Sequence, residues 1–344
     1  MADELRSRGA RRGPTISDVA SRAGVDRAVV SRIVNDDPRL RIKPSTRERV
    51  LAVIAELGYQ PNAAARSLRT ARTRTIALLV PDFENPAYGQ IIKGAETAAT
   101  AADSALLTAS MELGEESFEH YAKQLGKGRV DGLLLAGGGI NGTREEHLDR
   151  LGPPWLCVNR TGPGRRRYVV LDDERATEVA VSHLLELGHT ELAFLSGPAD
   201  SDSAERRRLG YIAAMDAAGL DPGFIAHGDY TADGGAAGMQ QILSAKRRHT
   251  AVLVANVASA VGALYAARRA GVQIPHDMSV ISIHDLSIAA YVDPPLTTVR
   301  MSLTGLGARA VELLLTRPRD EAIREVLQEP IDLIVRESTA PPKS

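Results

Sequence analysis

Between Asp26 and Asn35 four side chains sit where a helix could touch a DNA duplex. If the segment is helical, Arg27, Ala28, Ser31 and Arg32 fall on one face and Val30, Ile33 and Val34 on the other, at i, i+3, i+4 spacing. A guanidinium at Arg27 or Arg32 can pair bidentately with a guanine edge, and Ala28 can touch only a thymine methyl. That is the layout of a recognition helix with its first residues aimed into the major groove. The alternative is a small amphipathic helix in a bundle with solvated arginines. Catalytic chemistry is not indicated. His183, His189 and His284 and many carboxylates exist, but no nucleophile elbow, metal pair or phosphate loop accompanies them. His189, in the turn LGHTEL, reads as structural. Gly137-Gly138-Gly139 lacks the spacing of a dinucleotide fingerprint and reads as a turn. No cofactor and no metal are expected.

The elements that must position these residues are legible. Thr15 and Asp18 form a near capping box ahead of Ile16, Val19, Ala20 and Ala23, and Gly24 stops that helix. Asp26 caps a second helix through Val34, closed by Asn35. Pro44 suits the first turn of a third, carrying Val50, Leu51, Ile54 and Leu57 up to Gly58. Residues 1–14 read as a disordered basic arm, 15–60 as the helix-turn-helix, and 61–73 as a hinge too short to be a stable helix alone. From Thr75 the chain alternates apolar strands such as TIALLV, WLCV and AVLV with helical stretches, which points to doubly wound parallel sheets. The fold class expected is a small all-α headpiece plus an α/β two-lobed core.

The 344 residues suffice for two or three domains. Residues 1–70 carry 14 Lys and Arg against 8 Asp and Glu, whereas the remainder carries 28 against 35. A basic head on an acidic body suits a polyanion partner for the head, or else a solubilising tail. Cys157 is the single cysteine, so no internal disulfide forms. With no apolar run of membrane-spanning length and no secretory signal, a cytoplasmic, nucleoid-associated protein without a membrane partner is expected.

TISDVASRAGVDRAVVSRIVND strongly resembles the helix-turn-helix of the lactose-repressor/galactose-repressor (LacI/GalR) family. STRERVLAVIAELGYQPNAAARSLRT, TRTIALLVPDFENP, LLELGHTELAFLSGP, RRLGY and DPPLTTVR follow in the family's order, so the resemblance runs from Thr15 to about Thr339. It implies a regulator, a repressor by the family's habit. A homodimer would bind palindromic double-stranded DNA under allosteric control by a small effector. Two headpieces would enter adjacent major grooves, with Thr15, Asp26, Asn35 and Tyr59 near the backbone. Hinge helices containing Asn62, Ala65 and Arg66 would pair in the minor groove, with Leu68 wedged into a base step. Arg6, Arg8, Arg11 and Arg12 would add nonspecific affinity. The core would have the periplasmic sugar-binding fold, with lobes of about 74–171 plus 300–328 and 172–299 plus 329–340. Its cleft would hold the effector with Asp82, Phe83, Asn85, Asn159, Arg160, Arg207, Tyr230, Asn256 and His284. In this scheme Arg207 and Asn256 grip vicinal hydroxyls and Tyr230 stacks on a ring.

The chain departs from the family at Asp26 and Val29, where Ser and Thr are usual, and at Val257 and Met301, where Asp and Gln are usual. His284-Asp285 replaces two acids. Asp26 should weaken backbone anchoring. A protonated His284 could pair with an anion, so the effector expected is a sugar or sugar derivative, with an acidic or non-sugar metabolite as the alternative. A solute-binding protein without DNA function is the distant alternative. STAPPKS lacks a leucine heptad, so no tetramerising tail of that kind is expected.

Overall fold

The structure is a computed structural model that describes residues 13–60, 72–111, 120–121, 123–126, 128–136, 142–161 and 167–343. Asn62, Ala65, Arg66 and Leu68 lie outside the described residues, as do arginines 6, 8, 11 and 12 and the Gly137–Gly139 turn. The chain divides into two compact units, Met1–Thr73 and Arg74–Ser344.

The first unit holds three helices, α1 (Ile16–Ala23), α2 (Arg27–Val34) and α3 (Pro44–Leu57). The expected caps form. Thr15 Oγ1 accepts from the Asp18 amide while Asp18 accepts from the Thr15 amide, closing the capping box. Asp26 Oδ1 accepts from the Ala28 amide at 2.7 Å. Gly24 and Gly58 end α1 and α3 in the left-handed conformation, which costs glycine nothing. Val19, Ala20, Ala23, Val30, Ile33, Val50 and Val53 make the core. One expectation on α3 is corrected. Leu51 is exposed, and Val53 fills the inward place, because α1 crosses the stripe through residues 50, 53, 54 and 57.

The second unit contains two six-stranded sheets. Strands β1 (Thr75–Val80), β2 (Ala105–Ser110), β3 (Gly132–Ala136), β4 (Trp155–Val158) and β5 (Arg167–Val170) pair in the order β5-β4-β3-β1-β2. α4 (Pro86–Ala101) and α5 (Gly142–Leu151) belong to this lobe. The chain then crosses into α6 (Asp173–Glu186), β6 (Leu192–Ser196), α7 (Asp202–Ala217), β7 (Phe224–His227), α8 (Ala232–Ser244), β8 (Ala251–Val254), α9 (Val257–Arg269), β9 (Ser279–Ile283) and β10 (Thr297–Arg300). It returns as α10 (Leu303–Thr316) and β11 (Ile323–Val326), which extends the first sheet beside β5. A last crossing delivers β12 (Asp332–Ile334) antiparallel to β10, while every other pairing is parallel. Parallel strands need cover on both faces, and β1, β3, β4, β6, β8 and β9 are buried almost end to end.

Cover comes from helices in very close contact. A Cβ on Gly94 of α4 would overlap the Thr304 carbonyl oxygen of α10, and one on Gly307 would overlap that of Ile91. In the other lobe a Cβ on Gly262 of α9 would overlap the Ala232 carbonyl oxygen of α8. The lobes touch beyond the crossings: Thr161, after β4, donates its amide (2.7 Å) and hydroxyl (2.6 Å) to the Asp202 carboxylate that opens α7.

Candidate functional site

On α2 the fold separates two faces as the sequence requires. Val30 and Ile33 are buried, and Val34 is half-buried. Arg27, Ala28 and Arg32 are exposed, with Ser31 half-buried beside them. Arg32 makes one loose pair with Asp37 at 3.9 Å, an exposed contact that does little to hold it. The exposed face therefore presents two cations, Arg27 in the first turn and Arg32 in the last, and a small apolar side chain, suited to a groove edge. Asn35 donates its amide to the Ser31 carbonyl and so closes the helix. Val29 is half-buried and Tyr59 packs against the headpiece core.

The second cluster lies at the carboxyl ends of the parallel strands, where open α/β sheets take ligands. Asp82 and Asn85 follow β1, Asn159 and Arg160 follow β4, Tyr230 follows β7, Asn256 follows β8 and His284 follows β9. Six non-glycine residues among those described have positive φ, and three belong to this set: Asn159 (57°), Tyr230 (69°) and His284 (70°). Such backbone costs on the order of 1–3 kcal/mol per residue and gathers at functional sites.

Arg207 is the hub. It projects from α7, is 2 % exposed, and donates from Nε to Asp173 Oδ1 at 2.7 Å. One terminal nitrogen donates to the Ala255 carbonyl at 2.7 Å and the other to His284 Nε2 at 3.1 Å. Its guanidinium lies 5.9 Å from the Tyr230 ring centroid. Asp173 also accepts from Arg206 at 2.6 Å, and Arg206 reaches Asp202 in turn. Burial alone would raise the Asp173 carboxyl; Arg207 and Arg206 outweigh it and hold the group below the ordinary carboxylate value.

His284 is held neutral. Burial first, then the adjacent Arg207 charge, push its pKa down to about 3, against a smaller opposing pull from Asp173. The expectation that a protonated His284 meets an anion is thereby corrected: a guanidinium can only donate, so the imidazole must accept.

The other residues divide by what already occupies them. Asn256 caps α9, accepting from the Ser259 amide at 2.9 Å, and donates to the Tyr230 carbonyl at 3.0 Å, so it fixes the Tyr230 turn. The Tyr230 hydroxyl meets Ser203 Oγ at 3.0 Å. Asn85 caps α4 and Asp82 accepts from the Asn85 amide, while Phe83 is exposed. Asp285 is tied to Arg336 and Thr298, and Val257 and Met301 are buried apolar residues.

Tyr88 and Asp173 are additions that the sequence reading did not make. Burial raises the Tyr88 phenol above its ordinary value, with Tyr230 and Asp82 adding to this and Arg207 and Arg160 opposing it. One hydroxyl thus senses groups of both lobes, which places the cluster in the cleft. The acid pair Asp172-Asp173 after β5 was the available signal.

Residues 15–62 match the family described as bacterial regulatory proteins, lacI family, and residues 181–339 match the periplasmic binding protein-like domain. The chain is 31 % identical to catabolite control protein A of Priestia megaterium, covering 94 % of this chain and 99 % of the relative. It is 34 % identical to the HTH-type transcriptional regulator CelR of Thermobifida fusca, over 95 % and 99 %. The ribose operon repressor of Escherichia coli K12 is 33 % identical, over 88 % and 92 %. Among solved structures, the lac repressor dimer bound to operator and the anti-inducer ONPF superposes with a TM-score of 0.86 at 28 % identity, covering 96 % of this chain and 100 % of that one. The CelR–cellobiose complex superposes with a TM-score of 0.72 at 32 % identity, covering 94 % and 99 %.

Proposed function

The chain belongs to the lacI family of bacterial regulatory proteins, and on that premise we propose that two copies read a palindromic DNA site under control of a sugar-class effector. It is a DNA-binding transcriptional regulator and not an enzyme. The observation that carries the reading is the exposed face of α2. Arg27, Ala28 and Arg32 stand free of the headpiece core behind an Asp26 cap. Asn62, Ala65, Arg66 and Leu68 would add minor-groove contacts in the same complex, with Leu68 as the wedge. A two-fold site wants a two-fold reader, and the relative bound to operator is a dimer. The protein would act in the cytoplasm, on the nucleoid.

The effector would occupy the cleft around Arg207, Tyr230 and His284. Relatives named for ribose and cellobiose motivate a sugar or sugar derivative. Binding there would favour one lobe arrangement over another, and the headpieces would respond through the hinge.

Selection of bound duplexes from a random pool tests the reading. A palindromic sequence should enrich, bind with a strong inverse dependence on salt, and lose affinity in Arg27→Ala and Arg32→Ala. Binding no tighter than to bulk competitor, with or without sugars, would overturn it.

A further inference from the structure

The loop between α2 and α3 has an inner and an outer layer. Leu40 and Ile42 pack against the headpiece core, while Arg39, Arg41 and Lys43, alternating with them, are exposed. The apolar pair pins the backbone beneath the cations, so little chain ordering opposes contact with a partner. The acids of the loop already have partners. Asp36 faces Arg47 at 3.2 Å, and Asp37 accepts from the Arg39 amide at 2.9 Å and lies 3.9 Å from Arg32. Arg39, Arg41 and Lys43 have no ion-pair partner among the described residues. Three uncompensated cations thus continue from the end of α2 that carries Arg32.

The length of α2 decides where they fall. Its 8 residues rise about 12 Å, which is also about the width of the major groove. With the first turn aimed at base edges, the last turn and the loop behind it come to the edge of that groove. There the DNA backbone divides it from a minor groove. Each recognised major groove has two such neighbours. The inner one, between the half-sites, is assigned above to the hinge, and the outer one is free.

We infer that Arg39 and Arg41 enter the minor groove on the outer flank of each half-site, so that the operator extends into A·T-rich flanks read by groove width. A-tracts narrow the minor groove and strengthen its negative potential, which draws in arginine. Lys43 supplies a point charge for the phosphates at the groove's lip. The inference rests on α2 being the recognition helix, as proposed above.

The test uses the full chain and the palindrome enriched in the selection. That palindrome is placed once between A-tracts and once between G·C-rich flanks, and both duplexes are titrated by anisotropy at fixed salt. Wild type should bind the A-tract duplex about tenfold tighter, within the range of one base-pair preference. The double variant Arg39→Ala/Arg41→Ala should bring that ratio to about one and keep its preference for the palindrome over bulk competitor. Arg39→Lys/Arg41→Lys keeps the charge, so it should retain the salt dependence and lose most of the flank preference. Hydroxyl-radical cleavage of the outer minor groove should be blocked by wild type and restored in the double alanine variant.

Equal binding to the two duplexes by wild type overturns the inference. So does a double alanine variant that keeps the flank preference. A weaker salt dependence in that variant with an unchanged flank ratio means contact with phosphates alone, and overturns it too. In each of these cases a palindrome that still needs Arg27 and Arg32 leaves the recognition reading standing. If no palindrome enriches at all, that reading falls and this inference falls with it.

Discussion

Asp173 has no exposed side-chain surface and meets two guanidinium groups, Arg206 and Arg207. Removing one partner of a buried pair leaves the other charge uncompensated, which typically costs about 3–5 kcal/mol. Asp173→Asn should therefore destabilise the core by roughly 3 kcal/mol in urea unfolding. A loss below about 1 kcal/mol would mean that water already screens the pair. In the headpiece, Asp26 caps α2 yet sets a negative charge at the turn proposed to approach phosphates. Asp26→Ser keeps the cap and removes the charge, so operator affinity should rise at fixed salt in an anisotropy titration. An unchanged Kd would show that Asp26 lies clear of the backbone. Such local chemistry was legible in the sequence, because caps and helix faces depend on neighbours within four positions. The partners of Arg207 were not. Asp173 stands 34 positions away and His284 stands 77 away, and only the fold brings them to one guanidinium. For the same reason the tautomer and neutrality of His284 could not be read from its residue type.

The helices that cover the sheets owe their contact to glycine. Gly262 of α9 and Gly94 and Gly307 of the α4–α10 pair leave no room for a methyl group. Gly262→Ala should gain a little intrinsic helix propensity. It should lose more by forcing α8 and α9 apart, for a net destabilisation of about 1–3 kcal/mol. Calorimetric unfolding checks the sign, and a stabilised variant would show that the helix pair yields freely. Glycine also hid an element. ADGGAAGMQQILS places Gly234, Gly235 and Gly238 among its first seven residues, which argues against a helix, so α8 was not read from the sequence. Tertiary packing overrides propensity there, since Gly235 and Gly238 are buried where α8 approaches Ser259 and Leu195. The long apolar strands had the opposite character. TIALLV and AVLV announce burial on both faces without help from distant residues.

At the level of the whole core, buried histidines set an acid limit. Burial is the largest influence on His183, His189, His249 and His284, and it lowers each below the ordinary histidine value of 6.5. Above that pH neither the folded nor the unfolded chain protonates them. Below it the unfolded chain takes up protons that the folded core refuses, so stability falls as pH drops towards the folded values. His284 alone, with a folded value of about 3, contributes a slope of up to about 1.4 kcal/mol per pH unit. Tm should therefore drop between pH 7 and pH 5, less steeply in His284→Asn, and equal midpoints at the two pH values would refute this.

The three passages of the chain between the lobes carry a further consequence, for biosynthesis. β11 closes the edge of the first sheet beside β5, and α10 lays Leu306, Ala310, Leu313 and Leu314 into its core, yet all of this is encoded after residue 300. β12, which flanks β10 in the second sheet, comes later still. A ribosome that has reached residue 300 thus holds two unfinished sheets, each with bare apolar surface. Neither lobe can mature before the chain passes residue 300, and nascent chains halted short of α10 should depend on chaperones.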